Sequence, residues 1–310
     1  MKRIYLFAAV TAIALAACTK TETTGVSEGN LIKFDNAFVG NPTKADVEDL
    51  TKDNINHFYV FGTKTGEPQF FNNVQVTRNG SAWTYEGLKQ WEDSDYTFAA
   101  YSNGGTSTTG DKLENASWSS GSLTIPDYTV SQKDLVASIS STDINNTNQA
   151  VAFTFEHTLS MIKFTLKSTL GDGDNAITVS GFTVTGLKDK ATLTYTASGA
   201  SWDIPSDEKT LSNGNITVTT TTPGESDSFV VIPQSVTNMQ VSFTATITGL
   251  DPKSLTATIN NSSDVWKPGY RYNYVATITG VDMDVIEFTL TDITLWDDTD
   301  WDTPIDTPIN

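Results

Sequence analysis

The two histidines of this sequence are its first candidates for acid–base chemistry. His157 directly follows Glu156, and such a carboxylate–imidazole pair could form half of a catalytic dyad. His57 stands beside the predicted start of another strand. In a strand, however, neighbouring side chains point to opposite faces of the sheet, which separates Glu156 from His157. The sequence therefore favours a structural role for both histidines over a catalytic one.

Two acidic clusters are candidates for a calcium ion. Asp172 and Asp174 flank a glycine as in part of a calcium loop, but the later Gly and Glu of an EF-hand are missing. Four aspartates also crowd the stretch 297–302. The first cluster is typical of a turn and the second of a solvated acidic tail, for which weak Ca²⁺ affinity stays open.

The sequence contains none of the motifs that usually mark an enzyme. It has no Gly-x-Ser-x-Gly elbow, no phosphate-binding glycine loop and no His-Glu-x-x-His. Among its 37 acidic residues nothing singles out a pair for glycoside hydrolysis. We therefore expect no catalytic site, no cofactor and no metal.

Composition excludes further classes of protein. The chain has 310 residues, a formal charge of −18, 38% hydrophobic and 18% charged residues, which fits one large globular domain or two ordinary ones. With three arginines in all, it lacks the clustered basic residues that nucleic-acid phosphates require. Its single cysteine excludes an intrachain disulfide framework and a Cys-rich zinc site. We expect no nucleic-acid partner.

The N-terminus has the organisation of an export signal. Two basic residues at 2–3 precede an apolar stretch over 4–15, which is too short to span a bilayer. The stretch runs into Leu-Ala-Ala-Cys at 15–18, which resembles the lipobox of bacterial lipoproteins, where cleavage precedes a cysteine that then carries diacylglycerol. We predict a signal peptide over 1–17 and lipidation of Cys18, with two or three acyl chains as a firm anchor. An ordinary secretory signal is the alternative.

The rest of the chain is organised as β-structure. Residues 18–30 are polar and aperiodic, which predicts a flexible tether. From residue 58 onward apolar and polar residues mostly alternate, with turn-forming clusters about every ten residues, as in β-sandwiches. Roughly fourteen to sixteen such strands exceed one ordinary sandwich. We therefore predict an all-β chain with two tandem sandwiches, over 31–148 and 149–310.

Several landmarks together resemble the fimbrillin family, the major and accessory subunits of the fimbriae of Gram-negative gut and oral anaerobes. After the lipobox come Asp-Leu-Val-Ala at 134–137, Val-x-Phe-x-Phe-x-His-x-Leu-Ser-x-Ile at 151–162, Val-Ile-Pro-Gln at 231–234, Trp-Lys-Pro-Gly-Tyr-Arg-Tyr at 266–272, and Ile-x-Phe followed by Ile-x-x-Trp within 286–296. The match is closest to the fimbrillin-like lipoproteins. It implies two transthyretin-like Greek-key β-sandwich domains.

The resemblance also implies a mechanism of assembly. Subunits of this family reach the outer membrane as lipoproteins, and a trypsin-like protease then removes the N-terminal segment together with the first strand. A strand of the next subunit fills the groove that is left, through main-chain hydrogen bonds and alternate side chains. Here the candidate first strand is 31–38, with Ile32 and Phe34 as groove plugs, and a cut between Lys44 and Ala45 would free it.

Two features of this mechanism keep alternatives open. The family's usual cleavage signal is an arginine, and this chain has none between Arg3 and Arg78. If Lys44 is not cut, the chain would keep its lipid as an anchor or a surface protein outside any pilus. The candidate donor strand is 285–295, and its apolar face consists of Ile286, Phe288 and Leu290. The alternative is that it forms only the last strand of the second sandwich.

A different class of function comes from the tryptophans. Trp83, Trp91 and Trp118 cluster in the first half, and sugars stack on exposed aromatic rings. A surface glycan-binding lipoprotein outside any pilus is therefore the alternative function, although tryptophans more often close sandwich cores. The main prediction is a non-enzymatic fimbrial subunit of the cell surface that binds other subunits by strand exchange and contributes to adhesion.

Overall fold

The computed structural model describes residues 30–39, 50–104, 111–140, 150–170, 176–204, 209–260, 265–279 and 288–296. Several predictions from the sequence lie outside these ranges. They concern Cys18, Lys44, Ala45, Ile286, the Asp172–Asp174 pair and the aspartates after Trp296. The predicted plugs Ile32 and Phe34, both histidines, Phe288 and Leu290 lie inside them.

Within these residues the chain forms twenty-one β-strands and no α-helix. The first nine strands are β1 (Phe34–Val39), β2 (His57–Lys64), β3 (Glu67–Asn79), β4 (Ala82–Tyr85), β5 (Tyr96–Asn103), β6 (Ser117–Ser119), β7 (Ser122–Thr129), β8 (Leu135–Ile139) and β9 (Val151–His157). The other twelve are β10 (Ser160–Ser168), β11 (Ile177–Leu187), β12 (Lys190–Thr196), β13 (Gly199–Asp203), β14 (Lys209–Ser212), β15 (Ile216–Val218), β16 (Gly224–Glu225), β17 (Phe229–Val231), β18 (Gln240–Ile247), β19 (Lys253–Asn260), β20 (Tyr270–Ile278) and β21 (Phe288–Leu295).

These strands form three sheets. A seven-stranded sheet has the order β1-β9-β8-β5-β2-β3-β4, and a four-stranded sheet has the order β13-β12-β7-β6. A ten-stranded sheet has the order β14-β11-β18-β19-β21-β20-β10-β16, with β15 paired to β11 and β17 to β10. Among the described strands three pairs are parallel, namely β1 with β9, β10 with β20 and β19 with β21. The predicted all-β class with sandwich-like packing is confirmed.

The seven-stranded sheet is curled, and its central strands β2 and β5 are buried on both faces. Its two ends approach each other, since the rings of Phe34 in β1 and Tyr85 in β4 lie 5.4 Å apart. In β2, Phe58 and its alternate neighbours point into the core inside the curl, whereas Tyr59 and Phe61 point to a second core beneath the four-stranded sheet. Period-two alternation therefore distributes side chains between two cores instead of between core and water.

A third core lies within the ten-stranded sheet. It contains Phe164 of β10, Phe182 of β11, Phe243 of β18 and Phe288 of β21, together with Trp266 before β20. All five are buried.

None of the described residues forms a helix with the length and apolar character that a membrane crossing requires.

Strand pairing crosses the predicted division at residues 148 and 149 in two places. β9 follows the division in sequence but lies between β1 and β8 in the seven-stranded sheet. β12 and β13 also follow it, and β12 pairs with β7 from the first half, where Leu193 lies opposite Ile125. The division into 31–148 and 149–310 stays a prediction. The sheets themselves join residues from both sides of it.

Candidate functional site

The first strand lies at the edge of the seven-stranded sheet. β1 pairs in parallel with β9, from Phe34 opposite Val151 to Val39 opposite Phe155. The register shifts between Asp35 and Phe38. Among the described strands β9 is its only sheet neighbour. A strand with a single neighbour is the kind that another extended segment can replace without breaking the rest of the sheet.

The side chains of this edge strand reach deep into the core. Ile32 is 1% exposed and Phe34 is 3% exposed. The ring of Phe34 contacts five other aromatic rings, with centroid distances of 5.4 to 6.1 Å. They are Phe58, Phe71, Tyr85, Phe98 and Phe153. The backbone of β1 thus lies at the edge of the sheet, whereas its side chains pack at the centre of the core. Removal of the strand would uncover an aromatic groove.

The segment before β1 is held by a short backbone ladder. Trp91 donates its backbone N–H to the carbonyl of Asn30 at 2.9 Å, and the Asn30 amide donates to the carbonyl of Trp91 at 2.8 Å. Ile32 donates its N–H to the carbonyl of Lys89 at 2.9 Å. These bonds align residues 30–32 against the loop that follows β4, opposite to the side on which β9 pairs.

Tyr85 closes this arrangement from β4. Its hydroxyl donates to the carbonyl of Ile32 at 2.8 Å and accepts the backbone N–H of Lys89 at 3.2 Å. Burial raises the pKa of Tyr85, so the phenol keeps its proton for this bond. The Lys89 ammonium lies 4.6 Å from the ring centroid of Phe70, which extends the packing outward.

The candidate donor strand lies inside its own sheet. β21 pairs antiparallel with β20 between Tyr270–Leu295 and Val275–Thr289, and it pairs in parallel with β19 at Phe288 and Thr289. Phe288 is fully buried, and its ring lies 5.4 Å from that of Phe164. In this structure the segment is thus the last strand of the ten-stranded sheet, which is the alternative that the sequence left open.

The two faces of β21 differ sharply. Leu290 is partly buried against the same core as Phe288. Ile293 is 42% exposed and Leu295 is 57% exposed. Ile293 and Leu295 therefore lie on the outward face, while the end of the strand is held by its pairing with β20 and by the buried Trp296 that follows it.

The two histidines are both buried, and neither is paired with Glu156. His57 is buried, and its ring packs edge-on against Tyr59 at 5.6 Å. Glu156 is exposed and accepts the Tyr195 hydroxyl at 2.9 Å, whereas His157 is buried. The predicted separation of Glu156 and His157 onto opposite faces is confirmed.

His157 belongs instead to a buried group that the sequence did not predict as a site. Its Nδ1 lies 2.8 Å from Oδ2 of Asp134, and its ring stacks on Trp296 with centroids 4.8 Å apart and an interplanar angle of 11°. The guanidinium carbon of Arg271 lies 5.9 Å from the Trp296 ring centroid. We call Asp134, His157, Arg271 and Trp296 the junction cluster.

The junction cluster unites four of the landmark motifs. Asp134 begins the first motif, His157 ends β9, Arg271 lies in β20 and Trp296 follows β21. All four side chains are buried. The signal was thus present in the sequence as four separate short motifs. Their convergence depends on tertiary contacts, and the stack that joins His157 to Trp296 connects residues more than a hundred positions apart, which no local pattern can indicate.

The tryptophans considered for glycan binding lie in or against the cores. Trp91 is 2% exposed and Trp118 is 8% exposed. Trp83 is partly buried, and its ring lies 4.8 Å from that of Phe58. These three tryptophan rings therefore stabilise the fold and do not form an exposed stacking surface.

Within the described ranges no group of three or more His, Cys, Asp or Glu side chains is placed to hold a metal ion.

The fold and the groove together define a class: sandwich-like β-proteins in which a peripheral first strand fills an aromatic core. A family model described as fimbrillin-like matches residues 43–296, so the chain belongs to the fimbrillin-like family. No curated protein matches the chain in sequence.

Solved structures share this fold at low sequence identity. A fimbrial protein from Bacteroides vulgatus is 19% identical over 86% of this chain and 99% of its own, with a TM-score of 0.55. A candidate cell adhesion protein from Bacteroides uniformis is 21% identical over 87% of this chain and 100% of its own, also with a TM-score of 0.55. A candidate cell adhesion protein from Parabacteroides distasonis is 12% identical over 86% of this chain and 97% of its own, with a TM-score of 0.53.

Proposed function

We propose that this chain is a structural, non-enzymatic subunit of a cell-surface fimbrium that assembles by donor-strand exchange. The observation that carries the proposal is β1, an edge strand with one sheet neighbour whose Phe34 fills an aromatic groove. Loss of this strand would leave an apolar groove beside the unpaired edge of β9. A neighbouring subunit's strand can satisfy both at once, with backbone hydrogen bonds to β9 and side chains in the groove.

Processing would make this groove available. We propose lipidation of Cys18 at the outer membrane, followed by a cut between Lys44 and Ala45 by a trypsin-like surface protease. Leu50 and Ile55, which follow the cut, are buried in the same core as Phe34. Because they lie on the far side of the cut, they would stay with the body of the protein while β1 leaves.

The donor would come from the C-terminal part of the next subunit, with 285–295 as the candidate. Ile286, Phe288 and Leu290 alternate along it as groove-filling side chains must. Since Phe288 is buried in its own sheet, donation requires β21 to leave that sheet first. In this assembly reaction Phe288 would move from the core of its own sheet into the groove of the next subunit. We expect such an exchange to be slow and to need a trigger.

The first test compares Lys44→Ala with Lys52→Ala as a matched control, because Lys52 is exposed and lies beyond the cut. We expect native filaments to contain a chain that begins at Ala45 without lipid. Lys44→Ala should remove that species, and Lys52→Ala should not. The measurement is the N-terminal sequence and mass of the chain in surface filaments. Filaments whose chain still begins at acylated Cys18 would contradict the processing step and indicate an anchor.

A second test concerns the lipid. Cys18→Ala should abolish metabolic labelling with palmitate, because Cys18 supplies the only thiol of the chain. Thr19→Ala, one residue further along the tether, serves as the control and should label normally. Palmitate incorporated into the Cys18→Ala chain would contradict the lipoprotein proposal.

The alternative function, glycan binding outside any pilus, has a separate readout. Retention of the purified chain in a polysaccharide affinity gel would favour it, and SDS-resistant ladders would favour strand exchange. Trp91 and Trp118 no longer support the alternative, because their rings are buried.

A further inference from the structure

One carboxylate oxygen connects the segment of the proposed cut to the junction cluster. Oδ2 of Asp134 accepts the backbone N–H of Leu50 at 3.1 Å and lies 2.8 Å from Nδ1 of His157. Asp134 is fully buried. Leu50 is the first described residue after 40–49, the stretch that contains Lys44. The backbone just after the proposed cut is therefore tied to a buried carboxylate.

The same group continues to the end of the last strand. The His157 ring stacks on Trp296, and the backbone N–H of Trp296 donates to the carbonyl of Gly269 at 2.7 Å. Trp296 is 1% exposed, although Leu295 just before it is 57% exposed. The stack with His157 is one of the contacts that bury Trp296 at this end of β21, together with the core beneath the four-stranded sheet.

A second connection runs through β9. Val151, Phe153 and Phe155 face the core that Phe34 fills, and His157 follows them on the same side of the strand. β1 covers the edge of β9 from Val151 to Phe155, two residues before His157. Removal of β1 therefore acts on His157 through β9. Leu50 stays with the body of the protein, but after the cut it lies five residues from the new chain end at Ala45, where fraying opens its hydrogen bond to Asp134 more often.

We propose that Asp134 and His157 are positioning residues that hold the end of β21 in its own sheet while the N-terminal segment is intact. Cutting in 40–49 and loss of β1 then loosen Asp134 and His157, and the stack on Trp296 weakens. The last strand is released at its end and becomes available for donation. This inference rests on the proposed function, because it assigns a regulated partner exchange to the same processing step.

The physical basis is the cost of disturbing a buried ionisable group. A buried carboxylate that loses a hydrogen-bond donor is destabilised unless its neighbours rearrange, and rearrangement here moves His157. Strand ends open locally at far lower free energy than whole sheets, so a small loss at Trp296 changes how often β21 frays. The ten-stranded core around Phe288 can stay intact while this happens.

Hydrogen exchange measures this fraying directly. The full chain is compared before and after cutting between Lys44 and Ala45 and removal of the β1 segment. We expect the amides of Thr294 and Trp296 to exchange about tenfold faster after removal, a change of about 1.4 kcal/mol in local opening. The amides of β18 lie in the same sheet away from the cluster and should keep their rates. Unchanged rates at the end of β21 would overturn the proposal.

Variants separate coupling from simple loss of packing. In the uncut chain Asp134→Asn should accelerate exchange at Trp296, and cutting should then add little, because both changes act through the same contact. If Asp134→Asn fails to fold, Trp296→Phe serves as a milder second variant. It should likewise accelerate exchange at residue 296 in the uncut chain and leave little for cutting to add. Trp202→Phe is the matched control. Trp202 donates to the carbonyl of Thr158 near the cluster but lies outside it, so cutting should retain its full effect.

The two proposals can fail separately. If cut chains form filaments while β21 keeps its exchange rates, strand exchange stands and the coupling is wrong. If β21 loosens and the cut chains form no filaments, the coupling stands and the fimbrial proposal is wrong. Additive effects of Asp134→Asn and cutting would also overturn the coupling, because independent sites add.

Discussion

Phe34→Ala is expected to destabilise the uncut chain by about 3–5 kcal/mol, the usual cost of removing a buried phenylalanine side chain. The loss is large because Phe34 contacts five rings at the centre of a curled sheet, where the neighbouring backbone cannot close the space. Urea unfolding of the purified chain measures the effect. Asp35→Ala is the control, since Asp35 is exposed on the same strand and should change stability by less than about 0.5 kcal/mol.

The same substitution should have no effect on assembled filaments. In the proposed mechanism β1 leaves after the cut and a donor strand fills the groove, so residue 34 would no longer contribute. Filaments of Phe34→Ala subunits should therefore resist heating in SDS as well as those of the unaltered chain. Filaments that lose resistance would show that β1 stays in the assembled subunit, which contradicts the exchange.

Phe288→Asp is expected to unfold the core of the ten-stranded sheet. A carboxylate would be placed where the ring now lies 5.4 Å from Phe164 and 6.4 Å from Phe182, without a polar partner from these rings. The combined loss of packing and burial of a charge exceeds about 4 kcal/mol. Leu295→Asp, at the exposed end of β21, should fold normally. Near-ultraviolet circular dichroism and thermal unfolding measure both. A Phe288→Asp chain with unaltered unfolding would contradict the observed packing.

A synthetic peptide tests donation without this complication. The peptide covering 285–295 should bind the cut chain, and the Phe288→Asp peptide should not, because the groove accepts an apolar side chain in place of Phe34. Binding is measured by mass of the complex in native conditions. A peptide that fails to bind would contradict donation by residues 285–295, and β21 would then serve only as the last strand of its own sheet.

The alternation of apolar residues predicted the strands well, because strand period is a local property of the backbone. β9 and β12 alternate between buried and less buried side chains as the pattern requires. The pattern could not tell that β2 is buried on both sides. Phe58 and Tyr59 point into two different cores, so the face opposite the first core is also apolar.

The candidate site was likewise predictable in part from the sequence. The resemblance to the fimbrillin family implied Ile32 and Phe34 as plugs of a first strand that their alternation made plausible, and both side chains are buried. Their neighbour was not predictable, since β1 pairs in parallel with β9 more than a hundred residues later. Such pairing depends on how intervening strands stack, and the sequence contains no local signal for it.

The sequence alone predicted the class of the protein, through alternation, acidic composition, a predicted export signal and a set of ordered motifs. It also indicated that His157 points away from Glu156, since that follows from strand geometry alone. Three facts emerge only from the folded chain: Asp134, His157 and Trp296 meet, β21 lies within its own sheet, and Phe34 fills the centre of a core. Those facts depend on contacts between distant residues, whose partners are chosen by packing of the whole chain and not by any local pattern.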